Sequence, residues 1–168
     1  NTFPELFKKN WISKFKMKLG MSKDFPEDKK LIESFLEILL KQNIDFTQAF
    51  RALCEEKNSA HKNDFLFSSS NNKKLVLDWA NNWKQRIVKE KKNIKKIKNE
   101  MKKVNPIYIP RNHIMEEIIK EAVENNRYDL MNDLLNTIKD PFTEKTNKKH
   151  LSLPPKPNQV VKNTFCGT

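Results

Sequence analysis

The sequence predicts an all-α fold, on three observations. Apolar residues recur at three- and four-residue steps along most of the chain, and no stretch alternates convincingly with the two-residue period of a strand. Gly, Asn and Pro punctuate the periodic runs where helices have to stop. With 168 residues, 37% of them hydrophobic and 32% charged, the core must be lean, and eleven Phe and three Trp supply much of the area it can bury.

The elements follow in order. Residues from about Glu5 to Leu19 place Phe7, Trp11, Ile12, Phe15 and Leu19 on one side of a helix, and Gly20 is placed to stop it. Pro26-Glu27-Asp28 opens a second helix, with proline in the first turn and acids at the positive end of the dipole. Its periodic residues are Leu31, Ile32, Phe35, Leu36, Leu39 and Leu40, and Asn43 is its stop. Asp45 and Gln48 have capping-box spacing ahead of Phe46, Ala49, Phe50, Leu53 and Cys54. Residues 58–72 are mostly polar and read as a flexible loop.

Leu75, Val76, Trp79, Trp83, Ile87, Ile94, Ile97 and Met101 then line one face of a long helix, or of two in tandem. Asn105-Pro106 and Pro110 force an extended connection, because a residue before proline is steered out of the α region. Asn112 is placed to cap a helix carrying Ile114, Ile118, Ile119, Ala122 and Val123. A break at Asn125-Asn126 leads to a last helix with Tyr128, Leu130, Met131, Leu134, Leu135 and Ile138. The expected organisation is an irregular assembly of about six helices over residues 1–142. An extended, proline-containing tail over 143–168 follows, ending in Cys-Gly-Thr.

Charge is distributed unevenly. Of the net +12, residues 71–106 contribute +9, from twelve basic and three acidic side chains. That stripe suggests one alternative function, a stand-alone basic module binding nucleic acid. Against it, Arg86 is the only arginine in the stretch and both tryptophans belong to the apolar face, so nothing obvious remains to read or stack bases, and a solvated lysine face is the favoured reading. A second alternative is a surface-seeking helix over Phe3–Leu19, with Lys8, Lys9, Lys14, Lys16 and Lys18 facing anionic lipid. No apolar run approaches the roughly eighteen residues of a membrane span.

Several chemistries lack their residues. Two glycines exclude a Walker-type loop, a dinucleotide fingerprint and a glycine-rich kinase lid. His61, His113 and His150 lie in three separate regions without metal-ligand spacing, and neither cysteine belongs to a CxxC pair. Glu116, Glu117, Glu121 and Glu124 read as an exposed acidic face, His113 as structural or solvent-facing, and Cys54 as an inert buried thiol. Cys166, three residues from the end of a proline-bearing tail, is the one thiol expected to be accessible. The chain begins at Asn1, with no Met and no leader-like apolar stretch, and is expected to be a segment of a longer protein.

The run Asn105-Pro106-Ile107-Tyr108-Ile109-Pro110-Arg111-Asn112-His113, then Glu116 and Ala122, resembles the N-P-x-Y-[IV]-x-R-N signature of the selenoprotein O / YdiU family. That signature lies near the family's carboxyl end. Pro141-Phe142, Pro154-Pro155 and the terminal Thr-Phe-Cys-Gly-Thr follow in the same order, while Trp79, Trp83, Arg86 and Asp45-Phe46-Thr47 match more loosely upstream. The resemblance implies the carboxyl-terminal region of a kinase-like (pseudokinase-class) protein adenylyltransferase, which moves AMP from ATP to Ser, Thr or Tyr hydroxyls of protein substrates with Mg or Mn. It implies cytoplasmic residence in a bacterium and mitochondrial residence in a eukaryote.

The nucleotide and metal sites of that family belong to an amino-terminal lobe absent from this chain. That lobe is the expected packing partner, and no catalytic, nucleotide or metal residue carries over. Asn105, Pro106, Arg111, Asn112 and His113 are expected to be structural. Cys166 occupies the place of the family's redox-active terminal cysteine or selenocysteine, implying redox regulation through a reversible disulfide. Here the terminus reads Cys-Gly-Thr instead of the selenocysteine-bearing or Ser-Cys-Ser-Ser forms.

Overall fold

A computed structural model of the chain describes residues 2–55 and 65–161. Among the described residues every regular element is helical. The α-helices are α1 (Phe3–Lys18), α2 (Asp28–Lys41), α3 (Phe46–Cys54), α4 (Phe65–Ser69), α5 (Lys73–Val88), α6 (Ile94–Lys102), α7 (Asn112–Asn125), α8 (Asp129–Ile138) and α9 (Lys149–Ser152). Short 3-10 turns occupy Thr146–Lys148 and Pro157–Gln159. No helix among these is long and apolar enough to cross a membrane.

The chain divides into two compact units, Asn1–Asn105 and Pro106–Thr168. This boundary differs from the one at residue 142 expected from sequence. The periodic apolar residues of α7 and α8 serve a core of their own, which repetition of helical pattern along one chain does not reveal.

In the first unit α2 packs on α5, α3 on α6, and α1 on both α2 and α6. An aromatic ladder runs through its core. Trp83 stacks on Trp79 at 6.2 Å between ring centroids, and Trp79 on Phe35 at 4.0 Å. Phe35 meets Phe50 edge-on at 5.1 Å, Phe50 meets Phe15 at 5.9 Å, and Phe15 meets Trp11 at 4.7 Å. Both buried indoles are satisfied: Trp79 Nε1 donates to the Leu31 carbonyl at 3.0 Å and Trp83 Nε1 to that of Leu19 at 2.9 Å. Large rings thus supply the burial that a charged, lysine-rich composition withholds elsewhere.

The helix stops work as the residues suggest. Gly20 has φ +76° and closes α1 in a Schellman motif, with Met21 N donating to Lys16 O at 2.9 Å and Gly20 N to Met17 O at 3.1 Å. Even a methyl group here would lie 2.5 Å from Ile97 Cγ2, so glycine also permits the close approach of α6. Asn43, at φ 51°, ends α2 in the same way. Asp45, Asn72 and Asn93 cap α3, α5 and α6 through side-chain oxygens on the amides of Gln48, Leu75 and Lys95.

The basic stretch is two helices in tandem, broken at Lys89–Asn93, where Lys91 takes φ 54°. Trp79, Trp83, Ile87, Ile97 and Met101 are all buried, as their spacing requires. Leu40, assigned to the buried face of α2, is instead 82% exposed, because it lies on the same side of the helix as the exposed Glu33 and Glu37, while Ile38 and Leu39 of the same turn face the core.

Two expectations of irregular structure need correction. Within the loop assigned to residues 58–72, Phe65–Ser69 form α4, since Leu66 has an apolar site to fill and is 3% exposed. Ser70 and the Asn72 amide then bond the Gln42 side chain at the end of α2, at 3.3 and 3.1 Å. The rest of that range, up to residue 64, lies outside the described residues. Residues 143–168 are not uniformly extended either. No proline intervenes between Pro141 and Pro154, and α9 forms there because Leu151 is buried completely in the core of the second unit. That core consists of Tyr108, Ile114, Ile118, Leu134 and Leu151, with Ile107, Leu130, Met131 and Ile138 packed partly against it.

Candidate functional site

The residues singled out by sequence begin with Asn105, which closes the first unit. It is 1% exposed; its Nδ2 donates to the Lys18 carbonyl at 2.8 Å and lies 3.5 Å from Cys54 Sγ. Lys18 Nζ donates back to Asn105 Oδ1 at 3.3 Å and to the Val104 carbonyl at 3.1 Å. Lys18 also lies over the rings of Phe50 and Phe46, and burial pushes its pKa below the ordinary lysine value. Burial raises the pKa of the Cys54 thiol, which is fully enclosed, so it stays protonated and inert as read.

The rest of the motif belongs to the second unit. Pro106 leads into an extended segment whose Ile107 amide donates to the Pro141 carbonyl at 2.7 Å. Tyr108, 2% exposed, is its anchor: the Lys145 amide donates to Tyr108 Oη at 2.9 Å, and the phenol donates to the Lys145 carbonyl at 3.2 Å. The Lys145 ammonium continues to the Thr137 carbonyl at 2.8 Å and lies 6.0 Å from the centre of the Tyr108 ring. One phenol therefore ties the chain after α8 to the strand-like run before α7.

Replacing Tyr108 with phenylalanine keeps the ring, leaves the Lys145 amide without its partner, and leaves the Lys145 carbonyl with the Lys148 amide as its donor. The expected cost is about 1–3 kcal/mol. Amide exchange around residues 143–152 should accelerate while tryptophan fluorescence stays unchanged, because Trp11, Trp79 and Trp83 all lie in the first unit. Equal exchange in both proteins would show the phenol to be idle.

Arg111 and His113 are 6% and 9% exposed and, with the exposed Asn112, border a cleft of about 340 Å3 whose other side is Pro155, Gln159, Val160 and Val161. Arg111, not Asn112, is the N-cap of α7, and no side chain caps the helix; Asn112 is its first residue. Burial, and then the neighbouring Arg111 cation, hold the His113 imidazole below its ordinary value near 6.5, against the opposite pull of Glu117. His113 is thus neutral at pH 7. It is buried rather than solvent-facing. No nucleophile and base are brought together by these residues.

Cys166 lies outside the described residues, as does His61. His150 is exposed, and no group of three metal-ligating side chains forms among the described residues. Glu116, Glu117 and Glu124 are exposed as expected, while Glu121 is half-buried and pairs with Arg127 at 3.6 Å.

Sequence reasoning missed a buried ionic cluster in the first unit. Arg86, Asp28, Glu90 and Lys16 are 2%, 3%, 1% and 6% exposed. The Arg86 guanidinium donates to Asp28 at 2.5 and 3.2 Å, to Glu90 at 2.7 Å and to the Lys23 carbonyl at 2.7 Å, and it sits over Phe25 at 4.3 Å. Lys16 pairs with Asp24 and, at 3.3 Å, with Asp28; Glu90 accepts from Ser22 Oγ at 2.5 Å and from the Lys23 amide.

Burial opposes ionisation of both acids, but the Ser22 and Arg86 hydrogen bonds prevail and lower Glu90 to about 2. The Arg86 and Phe25 hydrogen bonds likewise lower Asp28. The signal was present: Arg86 and Glu90 continue the stripe of Trp79, Trp83 and Ile87 at helical spacing. The cluster also removes Lys16 from any lipid-facing surface, and Arg86 from any contact with a base.

Fold and site together define an all-helical region whose distinctive polar residues hold its own segments in place. Residues 1–139 match the family described as Protein adenylyltransferase SelO. Similar proteins include the Protein nucleotidyltransferase YdiU of Rhodopseudomonas palustris (strain ATCC BAA-98 / CGA009), 34% identical over 99% of this chain and 34% of its own. Those of Bacillus cereus (strain G9842) and Halalkalibacterium halodurans are 33% and 32% identical, over 99% and 100% of this chain and 33% of each relative. The chain belongs to the SelO/YdiU family, and it spans about a third of the length of these relatives.

Proposed function

We propose that this chain is the carboxyl-terminal helical region of a protein adenylyltransferase that transfers AMP from ATP to Ser, Thr or Tyr hydroxyls of other proteins. The observation that carries the reading is the match over residues 1–139, joined to relatives named as nucleotidyltransferases that are about three times as long. ATP and Mg or Mn are assigned to a kinase-like lobe beyond this chain. The described residues do not fit them, since they offer neither a phosphate-cradling glycine loop nor a set of metal ligands. The chain's own task is support of that lobe, with Cys166 as a redox-active thiol.

The test compares the 168-residue chain with a longer polypeptide containing it, each incubated with ATP, Mg or Mn and a protein acceptor. Mass spectrometry should find AMP on acceptor hydroxyls only with the longer form. Transfer by the chain alone, or by neither, would overturn the reading. The redox role is tested by alkylating the folded chain. Cys166 should react far faster than the enclosed Cys54, and equal rates would remove that role.

A further inference from the structure

Among the described residues of the second unit, an apolar groove stays open on one side of the α7–α8 pair. Met115, Ile119 and Val123 of α7 face Met131, Leu135 and Ile138 of α8 across a space of about 520 Å3 with almost no polar group on its walls. Along each helix these residues recur at three- and four-residue steps, so the groove runs with the helix axes for a little over two turns. Val123 is 79% exposed and Ile119 52%. Below the groove, among the described residues, the buried hydrophobic side chains are Tyr108, Ile114, Ile118, Leu134 and Leu151. So small a core is under-filled, and an apolar trough of this kind is costly to leave wet.

We infer that the α7–α8 groove seats an amphipathic helix contributed by the part of a full-length family member that this chain does not represent. The inference rests on the proposed role as a region of a longer enzyme, and it names the surface that role uses. Two observations select this occupant. About two thirds of each relative lies outside the match, whereas α7 and α8 lie wholly inside it. A segment of the same polypeptide also reaches the groove at a millimolar-scale effective concentration, far above that of a free second copy. The shape selects a helix. Two neighbouring helices with ridges one turn apart accept a third helix in the groove between them, and this one needs about eight to twelve residues with apolar positions at i, i+3 or i+4, and i+7.

The experiment uses the complete 168-residue chain and fluorescein-labelled peptides tiling the portion of the Rhodopseudomonas palustris relative that this chain does not match. Fluorescence anisotropy should find a peptide of that amphipathic pattern that binds. Val123→Asp and Ile119→Asp should each weaken it by at least about tenfold, with helicity by circular dichroism unchanged, because both side chains already face solvent. No bound peptide, or binding indifferent to both substitutions, overturns the inference. So does a dimer in sedimentation velocity that Val123→Asp dissolves, since the occupant is then a second copy. AMP transfer by the intact relative is measured separately. Its failure would sink the enzymatic reading without touching the peptide result, and a working enzyme with no binding peptide would sink only the groove.

Discussion

Substituting Arg86 with alanine is expected to destabilise the first unit by about 3–5 kcal/mol, comparable with the whole stability of a small domain. The cause is less the loss of attraction than what is left behind. Asp28 and Glu90 would remain 3% and 1% exposed, with their principal cation gone and water excluded. The intact cluster is worth much less than that figure, because removing two carboxylates from water offsets most of their pairing with Arg86 and Lys16.

The pH dependence separates these contributions. Both carboxylates have folded pKa values below their unfolded ones, Glu90 at about 2 against an ordinary 4.5. Their contribution is therefore present above about pH 4.5 and lost as pH falls through the folded values. In the alanine variant the same carboxylates gain by protonation. The gap between the two proteins should be widest above about pH 5 and should narrow as pH falls toward 2. Urea denaturation followed by tryptophan fluorescence measures it. A gap independent of pH would mean that lost packing, not charge, is responsible.

Trp79→Ala is the second large effect, again about 3–5 kcal/mol. This ring is the middle of the aromatic ladder, stacked on Phe35 at 4.0 Å and parallel to Trp83, and it bridges α2 and α5 through its bond to the Leu31 carbonyl. Its removal opens a cavity where both helices are rigid and cannot close it. Trp79→Phe keeps much of the stack and loses only the indole's bond to the Leu31 carbonyl, which still accepts from Ser34 Oγ at 3.0 Å, so it should cost about 1–2 kcal/mol. Denaturation midpoints of the two variants give the ratio directly. Equal losses would place the whole effect in the hydrogen bond, and the ladder would then be incidental.

The local determinants of this fold were legible because they act within a few residues. Helical spacing assigned Trp79, Trp83, Ile97 and Met101 to one buried face, and Gly20 and Asn43 marked helix ends because a left-handed residue is needed there. The family was legible from the run between Asn105 and His113, where several uncommon residues occur in register. Periodicity could not say which apolar residues would find partners: Ile118 is 6% exposed and Ile119, one position on, 52%. It also missed α4 and α9, whose few residues form helix only because Leu66 and Leu151 have cores to enter.

The sequence by itself determined the helical class, the cap at Asp45 and the stops at Gly20 and Asn43, the aromatic content of the core and the membership of the SelO/YdiU family. Only the tertiary structure decided that Arg86 and Glu90 turn inward to meet Asp28, and that Tyr108 pins Lys145. It alone divided the chain at Asn105 and left the groove between α7 and α8 open. The physical reason is range. Propensity, capping and helical period are properties of neighbours along the chain. Burial of a charge and satisfaction of a phenol depend on groups that folding brings from 37 to 58 residues away.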